Sequence, residues 1–143
     1  MEEKLGDSED ISIIMKISSV TDDKRLVFGW AYVCEDKDGN HVLDHSNQYI
    51  EPLELEEAVY VFASYGGMAS EMHTGMYAGT LVESVVFTKE KQEALGIPPG
   101  YLPVGWWVGI RVYDDAIFAK VKDGTYTMLS LGGKAVKEET DEY

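Results

Sequence analysis

The chain has 143 residues, 45% of them hydrophobic and 27% charged, enough for one domain with its own core and too apolar for a disordered class. A formal net charge of −14 repels phosphate backbones and anionic headgroups, so nucleic acid and membrane surfaces are poor partners. No apolar run approaches the roughly eighteen residues of a membrane span, and the acidic start MEEKLGDSED is the reverse of a basic signal-peptide n-region. The single cysteine, Cys34, allows no internal disulfide and fits a reducing cytosol.

Acidic residues crowd both ends, Glu2 to Asp10 and Glu138 to Glu142. Residues 1–10 and 138–143 therefore read as solvated tails around a folded unit, residues 11–137. The β-branched run ISIIMKISSV (11–20) predicts a strand, TDDKR a turn, and LVFGWAYVCE (26–35) a second strand with a bulge or sharp coil at Gly29. DKDGN (36–40) is a hairpin turn. It resembles the opening of a calcium loop, but its glycine stands at the fourth place instead of the sixth, and Asn47 stands where the twelfth-place glutamate belongs.

HVLDHSNQYIEP predicts a short strand and a loop. From Pro52 a helix follows, with glutamates near its positive end, Leu55, Val59 and Phe62 on one stripe, and Gly66 and Gly67 closing it. TLVESVVFT (80–88) is a strand, KEKQEALG a short helix stopped by Gly96, Pro98 and Pro99, and LPVGWWVGIRVYD a strand with two bulge-prone glycines and Trp106 and Trp107 on opposite faces. DAIFAKVKDG predicts a third short helix and YTMLSLGGKAV one last strand. Helices of crossover length are too few for a doubly wound parallel sheet. The pattern predicts a mainly β, α+β fold: a curved antiparallel sheet closing into a small barrel with peripheral helices.

Ser130 lies between two leucines with Gly132 and Gly133 behind it. It is either a polar residue on an ordinary strand or a nucleophile carried to an open site. A serine hydroxyl needs a neighbouring base, and imidazole suits that task near neutral pH. Of the three histidines, His41 and His45 fall in the polar segment after the hairpin turn, while His73 follows a double glycine among small residues. His73 and Ser130 are therefore the candidate pair, and Gly132 and Gly133 leave room for a substrate backbone and for N–H groups facing an oxyanion. Cys34, His41, Asp44 and His45 lie close in sequence but lack the spacing of a zinc site, and acidic neighbours discourage a thiolate at Cys34. No metal or cofactor is expected.

With EMH around His73, TLVESVVFT, KQEALGIP, LPVGWWVGIRV and LSLGGKA, the chain resembles the phage prohead maturation proteases, most closely the phage serine proteases of the XkdF type. The resemblance spans about residues 11 to 137, with PVGWWVG and LSLGG its most specific parts. It implies a herpesvirus assemblin-like barrel and a serine endopeptidase that cleaves scaffold or major capsid precursor proteins inside a procapsid in the bacterial host cytoplasm. The family's histidine and serine fall on His73 and Ser130. Related sequences continue into an E-x-S-L-V strand and P-A-N, whereas this chain ends at Tyr143. The third triad role would then fall on Glu138, on Glu139 or on another carboxylate such as Glu83, or on a residue beyond the given sequence. A second departure is DHSNQY (44–49), where an aspartate and a glycine-bearing turn are more usual. The alternative is a catalytically silent structural or scaffold-binding domain of the same fold. A small-molecule-binding barrel using Trp107 and Tyr113 has only aromatic content behind it. Assemblin-like proteases resemble dimers, so a homodimer is open, with LPVGWWVG serving either an interface or the core.

Overall fold

The computed structural model describes residues 14–21, 24–44, 47–64, 79–130 and 135–137. The elements in chain order are β1 (Ile14–Thr21), β2 (Leu26–Glu35), α1 (Pro52–Ser64), β3 (Gly79–Phe87), α2 (Lys89–Ala94), β4 (Val104–Val112), α3 (Asp115–Lys122), β5 (Tyr126–Ser130) and β6 (Ala135–Lys137). The strands form one six-stranded sheet in the order β3-β4-β2-β1-β5-β6, and every pairing is antiparallel.

Three expectations are corrected. The described sheet is open, not a closed barrel: β3 and β6 form its two edges and no pairing joins them among the described residues. The expected last strand is described as two, β5 and β6, which pair antiparallel with Leu129 opposite Ala135. The strand expected after the hairpin turn shrinks to one bridge between Glu35 and His41.

The DKDGN turn itself is built by Asp36, whose Oδ1 accepts from the N–H groups of Asp38 and Asn40, both at 2.9 Å. Gly39 there has φ +88, the left-handed region in which a side chain is costly. The carboxylate that opened the calcium-like pattern is thus occupied with its own backbone.

Three bulges fall opposite glycines, in the neighbouring strand, while two others, between Trp30 and Tyr32 of β2 and between Tyr126 and Met128 of β5, do not. Opposite Gly29 and Phe28 the register of β1 slips between Ile17 and Ser19. Opposite Gly105 it slips in β2 between Val33 and Glu35. Opposite Gly109 it slips in β3 between Leu81 and Glu83. The missing side chain lets the neighbouring backbone come close: a Cβ on Gly29 would stand 1.8 Å from the Lys16 carbonyl oxygen.

Helices α1 and α3 serve one face of the sheet. Leu55 and Val59 of α1, and Phe118 and Val121 of α3, join Met15, Val27, Ala31, Val86, Trp106, Val108, Ile110 and Leu129 in a single core. Phe62 meets Trp106 edge-on with centroids 5.8 Å apart, and the Trp106 indole N–H donates to Ser84 Oγ at 2.9 Å. Thr88 caps α2, accepting from Lys91 N–H at 3.2 Å. The Lys91 ammonium then ties α2 to α1 by donating to Glu56 Oε2 (2.7 Å), Tyr60 Oη (3.2 Å) and the Val86 carbonyl (2.9 Å). Asp114 caps α3, accepting from Ile117 N–H at 3.0 Å.

Candidate functional site

Ser130 is the last residue of β5, between β1 and β6. Strand β5 is anchored by Leu129, fully buried, and by Met128, 6% exposed. Its ladder to β1 pairs Lys16 with Met128, Met15 with Leu129 and Ile14 with Ser130. Its ladder to β6 pairs Leu129 with Ala135 and Met128 with Val136. Ser130 is thus the last described residue of a strand paired on both sides. Gly132, Gly133, His73 and Glu138 lie outside the described residues.

The other carboxylate considered for the third role, Glu83, stands on the edge strand β3 opposite Gly109. That strand is four ladder steps from β5, roughly 19 Å at the usual strand spacing, so the described sheet does not bring Glu83 to Ser130.

The face of the sheet opposite the helices carries a feature that no sequence motif announced. Trp30 and Trp107 pair directly and meet edge-on at 5.0 Å. Phe28 stacks on Trp107 at 6.4 Å, and Phe87 meets Trp30 edge-on at 6.0 Å. All four are half-buried and none belongs to the helix-side core. The opposite facing of Trp106 and Trp107 is as the alternation predicts: one lies in the core, the other in this cluster. Alternation in LVFGWAY also places Phe28 and Trp30 together, but only the pairing of β2 with β4 brings them to Trp107.

The remaining candidates separate. Cys34 is fully buried, and burial, then the neighbouring Glu35 charge, push its thiol up to about 12, far from the thiolate that a nucleophile or metal ligand requires. His41 stacks on Tyr49 with centroids 3.9 Å apart. Burial, then the Glu35 charge and hydrogen bond, push the Tyr49 phenol up to about 12. His45 is outside the described residues. Among the described residues no group of three His, Cys, Asp or Glu side chains could hold a metal ion, and no helix is long and apolar enough to cross a membrane. Tyr113 is exposed beyond the end of β4, six residues and roughly 20 Å along the strand from Trp107, so these two rings do not line one pocket.

A family model described as "Putative phage serine protease XkdF" matches residues 10–139. No curated protein matches the chain, and no solved structure matches it.

Proposed function

From the chain's membership of the XkdF phage serine protease family, we propose that it is a prohead maturation endopeptidase with Ser130 as nucleophile and His73 as general base. The observation that carries this is the family match across the folded unit, with a serine at the end of β5. The substrates are scaffold or major capsid precursor proteins, cleaved within the procapsid.

The chemistry is acyl transfer. Ser130 Oγ bonds to the scissile carbonyl carbon as its proton passes to His73. Backbone N–H groups near Gly132 and Gly133 hold the oxyanion. Collapse breaks the C–N bond, and His73 returns the proton to the leaving amine. Water then gives a proton to the same imidazole, attacks the acyl-serine and releases the acid, restoring Ser130. Glu138 orients the imidazole as third member.

Labelling of the concentrated protein with a fluorophosphonate serine-hydrolase probe tests this. Wild type is expected to label, and Ser130→Ala and His73→Ala are expected to lose the label. A folded wild type that does not label would instead make the chain a catalytically silent structural or scaffold-binding domain.

A further inference from the structure

We propose that the groove between the turn at residues 36–39, α2 and the loop at residues 96–104 is a docking site for a protein partner, and that it takes an arginine side chain of that partner against the Glu35 carboxylate. None of its lining residues lies on β5, and the site stands independently of the protease reading.

The groove has a volume of about 720 Å³, within the roughly 300–1,000 Å³ usual for ligand sites. Its walls are held in place by the chain's own bonds. The Gln92 amide donates to the Phe87 and Pro103 carbonyls, both at 3.1 Å, and the Ile97 N–H donates to the Gln92 carbonyl at 2.8 Å. A Cβ on Gly100 would stand 3.9 Å from the Lys37 carbonyl oxygen, so the loop and the turn meet. A docked group therefore has little of the site left to order.

Glu35 is the residue that calls for a cation. Its side chain is 13% exposed, and its Oε1 is buried and accepts no hydrogen bond. The Lys89 ammonium stands 3.3 Å from that oxygen without hydrogen-bond alignment, on a side chain 76% exposed. Oε2 accepts from the Tyr49 hydroxyl at 3.4 Å. Both contacts exceed the roughly 2.5–2.9 Å of a charge-assisted bond, and a buried carboxylate is costly until it is both paired and hydrogen-bonded. A guanidinium presents parallel N–H groups that reach both oxygens at once, which a single ammonium does not. Lys89 then moves into the solvent that already surrounds it.

The other lining residues select the rest of the partner. Asp36, Asp38 and Glu93 join Glu35 around the groove, against Lys37 and Lys89, so four carboxylates stand against two ammoniums and the local charge favours a cation over an anion. Ile97, Pro98 and Leu102 offer apolar contact to the arginine stem and to an apolar neighbour in the partner's sequence. Lys37, Asp38, Glu93, Pro98 and Pro99 are all exposed, so the rim is open and a polypeptide can lie across it. A small molecule there would keep too much of its surface in water.

The test titrates the full chain, isotope-labelled for amide spectra, with capped nonapeptide pools that fix arginine, lysine or citrulline at the centre and randomise the flanks. The arginine pool is expected to shift the Gly39, Gly96 and Gly100 amides, and the citrulline pool, which keeps the shape without the charge, to bind at least tenfold more weakly, with lysine between them. Glu35→Gln is expected to weaken arginine-pool binding at least tenfold, and Lys89→Gln, which removes the competing ammonium, to strengthen it at least twofold. Circular dichroism checks both folds, and the gain in Lys89→Gln stays decisive even where Glu35→Gln fails to fold. Equal binding of the arginine and citrulline pools, shifts confined to residues away from the groove, indifference to Glu35→Gln, or weaker binding in Lys89→Gln overturns the site. Sedimentation equilibrium tests a second copy as the occupant: a dimer that shifts the same glycines and is dissolved by Arg111→Gln would overturn the partner reading.

Discussion

Gly29→Ala is the substitution for which the sheet makes its sharpest demand. The added Cβ would stand 1.8 Å from the Lys16 carbonyl oxygen and 2.9 Å from Met15 Sδ. The first atom is backbone in a paired strand, so β1 must move by more than 1 Å to restore ordinary contact. Overpacking that forces backbone shifts costs about 1–3 kcal/mol, and more where the backbone is held on both sides, as β1 is by β2 and β5. The expected loss is about 3 kcal/mol. At roughly 2–4 °C per kcal/mol for a chain near this size, the melting temperature falls by roughly 6–12 °C.

Gly39→Ala is the internal control. Its Cβ would meet nothing within 4 Å, so the cost is conformational alone, about 1–2 kcal/mol for an alanine at φ +88. Urea unfolding of both variants beside wild type, with unchanged m, measures the two costs. A Gly29→Ala loss no greater than that of Gly39→Ala would refute the close approach of β1 and β2. Because β1 sets the register of Ser130 through Ile14, Gly29→Ala is also expected to lower fluorophosphonate labelling more than Gly39→Ala does.

Lys91→Met removes a partly buried ammonium that serves three acceptors, at an expected cost of about 1–2 kcal/mol at pH 7 by chemical denaturation. The Lys91 hydrogen bond holds the Glu56 carboxyl below its ordinary 4.5, so the pair's contribution is present above that value and is lost as pH falls through the lowered one. The gap between wild type and Glu56→Gln should accordingly narrow in urea melts from pH 5 to pH 3, and a gap that widens would contradict the pairing. Ser84→Ala deprives the Trp106 indole of its acceptor and is expected to cost about 1 kcal/mol, with the loss absent when Trp106 is already Phe, as a double-mutant cycle would show. The buried Cys34 thiol is expected to resist iodoacetamide at pH 8 in the native protein and to react fully in denaturing urea; rapid native labelling would contradict its burial.

Local chemistry made much of this protein legible. The run LVFGWAYVCE coincides with β2, the stripe Leu55, Val59 and Phe62 marks the helix side of the core, and Asp36 and Gly39 define their turn. Each depends on neighbours within a few residues, where side-chain periodicity and backbone preference act directly. Ser130 was also picked out by its setting, and the structure adds that it ends a strand held between β1 and β6.

Long-range pairing decided the rest. Whether the strands close into a barrel depends on which edges find partners, and no residue of β3 or β6 encodes that alone; the described sheet stays open. The glycines announced bulges without saying in which strand, because the extra residue sits where the neighbouring backbone fills the space that the missing side chain leaves. The aromatic face joins residues from β2, β3 and β4, which lie far apart in the chain and meet only through ladder register. The residue types and their alternation were settled by the amino-acid order itself; the partners across the sheet were chosen by the packing of one whole face against the helices.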